Sequence, residues 1–389
     1  MIDVIPSQKE VDKVNAIAKK IISKINLKDA VTSLGGSGAK NTWLKGSKEI
    51  DVYVRFNYKR YNNKSNELAD ILHSHLKNKF KKISRLHGSR DYFQVFDEGF
   101  TIEVIPILDI QKESEAKNIT DISQLHVKYV KKYPKLANEI RLAKTFAKAQ
   151  EVYGAESYIQ GFSGYVLELL VIHYKGFKNL VKNVAKWKEE TIIGNKKDVE
   201  VLNFSKKNSP LILIDPVQSS RNAAAALGDK RYKKFIADCK KYVNKPSESF
   251  FVKKPHKFKS GGKHILLKVK PKTGKRDIVG AKLMKAFEHL KRRLEDEGFE
   301  IKNSKWDWND YGLFYYELKS DKLSLYQEVK GPPGNLIEHV ANFKKKYKKI
   351  YFKKGYAYAK TKRKYTDARK AIKIILKEKE VTDRLSSVA

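Results

Sequence analysis

The stretch LGGSGAKNTWLKGSKEIDVYVRF, residues 34–56, joins a glycine-rich turn to a short alternating segment. In its second half Ile50, Val52, Val54 and Phe56 alternate with Asp51, Tyr53 and Arg55, the pattern of a strand with one buried face. Glu49 and Asp51 are two residues apart on that strand and leave from the same face. Carboxylates held that close repel unless a cation lies between them, and the hard divalent cation most used with phosphate substrates is Mg²⁺. Upstream, GGSGAKN reads as a turn running into a short helix at Ala39, offering backbone N–H groups, the Ser37 hydroxyl and a helix N-terminus to a phosphate. Phosphate cradle, spacer and paired acids together describe a triphosphate–metal site. A two-metal centre needs a further carboxylate from a neighbouring strand, and Glu103 in TIEVIPI, residues 101–107, answers to that.

The surrounding chain is strongly cationic. Its 389 residues carry 82 Lys and Arg against 44 Asp and Glu, a formal net charge of +38. Self-repulsion on that scale is most easily tolerated beside a polyanion, which points to nucleic acid. With 41% hydrophobic residues the composition is that of a soluble globular protein, and no run approaches the length of a membrane span. Ser7 and Glu10 read as a capping box ahead of a helix with Val11, Val14, Ala18, Ile21, Ile22 and Ile25 on one face, which is not a signal peptide. The single cysteine, Cys239, excludes an intrachain disulfide framework and a cysteine-based zinc knuckle, and a cytoplasmic location is expected.

The fold class expected is α+β and multidomain. Residues 1–132 read as a small mixed sheet with helices on one side: the strand at 49–56, a helix in SNELADILHSHLKNKF, then strands FQVF and FTIEVIPIL around a turn at 97–99. Residues 133–255 read as a helical neck, with a buried helix beginning at Ser163, a strand LILIDPV, and a further helix opened by SSRNAAAAL. After a linker near residue 256, residues 256–389 read as β-α-β-β-α-β, with strands at HILLKVK, GLFYYELK, LSLYQEVK and KIYFKKGYAYAK, a ferredoxin-like or RRM-like layer. Within it NFKKKYKKIYFKKGYAYAKTKRKY, residues 342–365, interleaves aromatics with cations; Ile350, Phe352 and alternate aromatics are expected to face the core, leaving the lysines to phosphates.

An apolar residue, Gly36-Ser37, eleven residues and then acid–apolar–acid–apolar (Glu49-Ile50-Asp51-Val52) is similar to the signature of the polymerase-β-like nucleotidyltransferases. The fuller string GSGAKNTWLKGSKEIDV, with IEVIP, YGAESYIQGFSGY and DPVQSSRNAAA downstream, resembles the archaeal (class I) CCA-adding enzymes, chiefly ahead of residue 256. The resemblance implies a nucleotidyltransferase head, a nucleotide- and RNA-binding neck, and a body with a shortened tail. It implies metal binding by Glu49, Asp51 and Glu103, and phosphate binding by Ser37 and Lys40. His126, Lys144 and Tyr153 match positions on the triphosphate and ribose, and Arg221 a position that helps read the base. Two positions depart from the pattern. Glu103 stands where the family has aspartate, and Lys40 where it has arginine, which keeps the charge but loses the bidentate fork.

Without the family, His126 reads as a solvated residue near a helix start, Lys144 as part of a wet helix face and Tyr153 as a packing aromatic. Arg221 ahead of an alanine-rich helix is a cation on the wrong end of a dipole, which favours a ligand for it. Trp43 and Trp187 read as core. The implied reaction is template-independent addition of C, C and A to the 3′ end of tRNA from CTP and ATP, with Mg²⁺ at a two-metal site and release of pyrophosphate. The implied partners are the tRNA acceptor stem and 3′ end, and a homodimer is a family-level expectation. A poly(A) polymerase or another terminal transferase shares the same acids. From another class, a catalytically impaired tRNA-binding protein is what the departures at Glu103 and Lys40 suggest.

Overall fold

The computed structural model describes residues 2–388, and the chain divides between Lys254 and Pro255 into two compact units. The first opens on the helix Gln8–Lys24, started by the expected capping box: Ser7 Oγ accepts from Glu10 N at 3.3 Å, and Glu10 Oε2 accepts from Ser7 N at 2.8 Å. A five-stranded sheet follows, made of β1 (Ala30–Leu34), β2 (Glu49–Asn57), β3 (Ser84–Leu86), β4 (Tyr92–Asp97) and β5 (Phe100–Asp109) in the order β1-β2-β5-β4-β3. β2 and β5 run parallel, and the other neighbours antiparallel. Alternation along β2 sends Ile50, Val52, Val54 and Phe56 to one face. There they join Ile17 and Ile21 of the first helix and Leu68, Leu72 and Leu76 of the helix Leu68–Lys77 in one core. Glu49, Asp51 and Tyr53 are left on the other face. In the glycine-rich turn the short helix is Gly36–Ala39, so it ends at Ala39 rather than starting there.

A second core binds the helices Ala137–Ala149, Gly164–His173, Phe177–Val184 and Asp229–Asn244 to a small sheet, β6 (Thr191–Ile193), β7 (Leu211–Asp215) and β8 (Gln218–Asn222). Ser163 caps its helix as expected, its side chain accepting from Val166 N at 3.1 Å. The helix read at SSRNAAAAL is not formed. Residues 218–222 are a strand, and the next helix starts at Asp229. The cause is Asn222, whose amide oxygen accepts from Leu213 N at 3.0 Å and Ala224 N at 2.9 Å while its nitrogen donates to Leu211 O and Lys206 O. A side chain that takes over backbone bonding in this way competes with helix. The alanines that follow turn the chain instead.

The second unit contains β9 (His264–Pro271), the helix Arg276–Asp296, β10 (Ile301–Trp308), β11 (Gly312–Leu318), the helix Ala368–Ile375 and β15 (Leu385–Val388). Its four-stranded antiparallel sheet has the order β10-β11-β9-β15, which is the strand order of a β-α-β-β-α-β ferredoxin-like layer. The layer is as expected, but two of its strands, β10 and β15, lie outside the sequence reading. The segments read as its other strands form a separate three-stranded sheet, β12 (Tyr326–Pro333), β13 (Ile350–Lys353) and β14 (Tyr356–Lys362), with the helix Ile337–Tyr347, inserted between β11 and the last helix. The inward aromatics expected there are also corrected. Phe352 is 58% exposed, and the fully buried residues of β14 are Ala357 and Ala359. Among the described residues no helix is long and apolar enough to cross a membrane.

The second core turns on Phe146, fully buried, with the rings of Phe177, Phe235, Tyr242 and Phe251 at centroid distances of 5.7, 6.2, 5.5 and 5.6 Å. Truncating an aromatic so enclosed leaves a cavity its neighbours cannot fill. Phe146→Ala is expected to cost about 3–5 kcal/mol in urea unfolding followed by tryptophan fluorescence; a loss under about 1 kcal/mol would show that the cluster collapses around the gap.

Candidate active site

The parallel pairing of β2 with β5 sets Asp51 beside Glu103 and Glu49 beside Thr101. Paired positions on adjacent strands point to the same face, so Glu49, Asp51 and Glu103 rise from one side of the sheet. Glu103 accepts from Gln94 Nε2, on β4, at 3.0 Å. Asp51 lies flush against the glycine turn: Gly35 N donates to Asp51 O at 2.8 Å, and the Ser37 N–H bonds its carboxylate. That contact dictates the glycines. A methyl on Gly36, whose φ is +48°, would overlap the Asp51 carboxylate, and one on Gly35 would come within 2.6 Å of the Tyr53 ring. Burial pushes the Asp51 carboxyl up and Glu49 adds to this, against Lys40, the Ser37 N–H and Lys144.

Oxygen donors from register-matched positions suit an oxygen-preferring divalent cation. The ligand atoms of the three carboxylates do not all lie within 4.8 Å of one another. Among the described residues the one trio of His, Cys, Asp or Glu whose ligand atoms lie within 4.8 Å of one another is His289, Glu378 and Glu380. In that trio Arg293 Nε donates to both Glu378 oxygens, at 3.0 and 3.2 Å, and already supplies the positive charge. It is an ion-pair clip within the second unit.

Behind the acids two buried networks join segments far apart in sequence. Glu168, fully buried in the otherwise apolar helix Gly164–His173, accepts from Lys40 Nζ at 2.6 Å, Lys144 Nζ at 2.8 Å and Thr42 Oγ1 at 2.7 Å. Burial pushes its carboxyl up, but the Lys144 and Lys40 ammoniums outweigh burial and bring it down to about 2. Asp215, 1% exposed at the end of β7, lies 3.0 Å from His126 Nε2 and accepts from Tyr165 Oη at 3.0 Å, Arg221 Nη1 at 2.6 Å and Val217 N at 3.0 Å. Burial raises it too, and His126, the Val217 N–H and Arg221 more than offset that, leaving it below the usual carboxylate range. Burial holds the His126 pKa below its ordinary value despite the pull of Asp215. The networks meet at Tyr165, whose ring stacks on His126 at 4.0 Å and lies 5.6 Å from Lys40 Nζ. Arg141 adds a clamp onto uncharged acceptors, its Nε donating to Trp43 O at 3.1 Å and its Nη2 to Asn41 Oδ1 at 2.7 Å.

All nine nominated residues therefore fall in the first unit. Ser37, Lys40, Glu49, Asp51 and Glu103 surround the turn, and Lys144 reaches it through Glu168. Tyr153 belongs to the same neighbourhood: its hydroxyl is what a methyl on Gly164 would meet at 2.9 Å, and burial raises its pKa with Glu168, Glu49 and Asp51 adding. His126 and Arg221 sit on Asp215. Lys144 and His126 are not on wet faces, as their residue types alone suggested; both side chains are largely buried. Arg221 lies on β8, so the helix-dipole argument for it falls, and a direct ion pair takes its place. Glu168 and Asp215 were missed. The available signal was a lone glutamate inside an apolar helix, which needs a partner, and an acid inside DPVQSSRN.

The sign of the Glu168 shift makes a prediction. Its carboxyl lies at about 2 folded and near 4.5 unfolded, so between those values the unfolded chain binds a proton that the folded chain does not. Stability therefore rises with pH across that window and is complete above it, by on the order of 3 kcal/mol from this group. Asp215 acts in the same direction. Urea-unfolding free energy is expected to fall as pH drops from about 5 to about 2.5, with part of that slope absent in Glu168→Gln. An unchanged slope in the variant would refute the assignment.

Two family models match the chain: "tRNA nucleotidyltransferase, second domain" over residues 138–252 and "CCA-adding enzyme, C-terminal domain" over residues 261–386. The CCA-adding enzyme of Nanoarchaeum equitans is 36% identical over 82% of this chain and 80% of its own length. That of Sulfurisphaera tokodaii is 32% identical over 93% of this chain and 87% of its own. Among solved structures, the Cid1 poly(U) polymerase with Mg and 3′-dATP bound is similar over 65% of this chain and 96% of its own at a TM-score of 0.51, with 15% identity, a likeness of fold. The acids on paired parallel strands, the glycine turn they require and these similarities agree: the chain belongs to the CCA-adding enzymes, which are tRNA nucleotidyltransferases.

Proposed function

We propose that the protein adds C, C and A to the 3′ end of tRNA without a template, using CTP and ATP, with Glu49, Asp51 and Glu103 as the ligands of two Mg²⁺ ions. The observation that carries this reading is the pairing of Asp51 with Glu103 on β2 and β5, on the face where the glycine turn meets the Asp51 carboxylate. Bound there, divalent cations supply neutralisation of the triphosphate and polarisation of the attacking hydroxyl. The glutamate at position 103 is longer than the family's aspartate, and its bond to Gln94 at 3.0 Å holds the added length.

In this reading the 3′ oxygen of the tRNA bonds to the α-phosphorus of the nucleotide, the hydroxyl proton leaves to solvent, and the bond to pyrophosphate breaks. The chain's own part is positioning and charge. Ser37 and the N–H groups of its turn hold phosphate, and Lys40 adds a cation beside them. His126, with Nε2–H directed at Asp215, and Tyr153 line the nucleotide between triphosphate and base. Arg221, fixed by the same Asp215, meets the base. The head is residues 1–132, the neck 133–255 and the body 256–389. On the body, exposed Tyr326, Tyr351 and Phe352 stand among Lys349, Lys353 and Lys360, a surface suited to RNA phosphates and stacked bases.

A tRNA transcript lacking CCA is expected to gain three nucleotides with CTP plus ATP and then stop. A long A-tail from ATP alone would instead identify a poly(A) polymerase, and tight binding without extension an impaired RNA-binding protein. Asp51→Ala is expected to lower turnover by about 10³-fold or more while tRNA affinity holds, since phosphate contacts lie elsewhere. Gly36→Ala, which drives a methyl into the same carboxylate at a left-handed φ, is expected to approach that loss with a melting temperature lowered by the strain. Full activity in either variant would exclude this face as the reaction centre.

A further inference from the structure

Two lysines share one carboxylate behind the acid strand. Lys144 Nζ donates to Glu168 Oε1 at 2.8 Å and to Thr42 O and Thr42 Oγ1 at 3.1 Å each. An ammonium has three N–H donors, so Lys144 has used all of them inside the protein, and its side chain is only 4% exposed. Lys40 Nζ donates to Glu168 Oε2 at 2.6 Å, the one hydrogen bond its ammonium makes among the described residues, and so keeps two donors. It also approaches the acids, because its charge acts directly on Asp51. Two ammoniums against one carboxylate leave a net positive charge, and Lys40 is the member with donors to spare. A lysine is a point charge on a flexible stem, whereas a guanidinium is a pre-organised planar fork. In this chain the tip of the flexible stem is tethered.

We propose that Glu168 is a positioning residue, which, anchored by Lys144 and Thr42, holds the Lys40 ammonium in place for the triphosphate of the incoming nucleotide. It gives a lysine the fixed aim that an arginine at the same position has without help. The inference rests on the reading of Lys40 as a phosphate contact.

The test measures CTP affinity by equilibrium dialysis with Mg²⁺ and no tRNA, so turnover plays no part. Glu168→Gln and Glu168→Asp are each compared in the native background and together with Lys40→Arg. Charge alone predicts that Glu168→Gln tightens CTP binding, because a negative group is lost near a polyanion, and that Glu168→Asp changes nothing. Positioning predicts the opposite: both variants weaken CTP by about tenfold beside Lys40, and by less than about threefold beside Lys40→Arg, whose fork keeps its own shape. Glu168→Asp retains the charge and carries the test where Glu168→Gln melts early. Equal losses in both backgrounds would mark a merely structural role and overturn the proposal, as would unweakened binding in Glu168→Asp. Lys40→Ala separates the two readings. CTP binding as tight as the native protein's would remove the phosphate role of Lys40 and the proposal with it. Native protein that binds CTP and leaves CCA-less tRNA unextended would overturn the catalytic reading alone.

Discussion

Burying charge where chain segments meet is the requirement that organises the first unit. Glu168 is fully buried and Asp215 is 1% exposed, and a carboxylate taken that far from water persists only with partners. Those partners come from far along the chain: Lys40 lies 128 residues before Glu168, and His126 lies 89 before Asp215. Removing one member of such a buried set typically costs about 3–5 kcal/mol, because the charge left behind is uncompensated. The glycine turn, the helix Ser123–Val130, the helices 137–149 and 164–173 and the strands β7 and β8 are therefore held to one mutual arrangement. No single hydrophobic contact specifies an arrangement so sharply, since apolar cores tolerate repacking that ion pairs with fixed donors do not.

The acid face follows from a second constraint, the period of a strand. Once Ile50, Val52, Val54 and Phe56 enter the core, Glu49 and Asp51 must leave from the other side, and parallel pairing with β5 brings Glu103 alongside. The glycines adapt the turn to that outcome. With the Asp51 carboxylate lying against Gly36, any side chain at 36 would displace the acid, and the turn can approach the strand only as bare backbone. The backbone of the turn and the Asp51 carboxylate are thus in contact because Gly36 has no side chain.

This explains which parts were legible in the sequence. Period-two alternation in EIDVYVRF and the Ser7–Glu10 cap are local patterns, and both elements form where they are read. The resemblance singled out Lys40, His126, Lys144 and Arg221, and all four prove to be partners of a buried carboxylate. The carboxylates themselves were not legible, because their roles are defined by neighbours scores of residues away and not by spacing. The helix expected after Ser219 failed for a tertiary reason: alanine-rich propensity lost to the four hydrogen bonds of the Asn222 amide. In the second unit the ferredoxin-like order was right while two of its strands were misassigned. IKNSKWDW is too polar to look like a strand, and the inserted sheet offered stronger alternation.

The +38 charge and the acidic site act over different distances. Exposed lysines attract RNA through a field that decays within about 8 Å at physiological salt, so they govern capture and release, and their effect weakens as salt rises. The Lys40–Glu168–Lys144 cluster lies inside the protein, where salt screens it far less, and the Arg221–Asp215 pair is screened on its Arg221 side only. Surface charge therefore sets how tightly RNA is held, and buried charge sets where the nucleotide-facing cations point. Salt and sequence can change the first without disturbing the second.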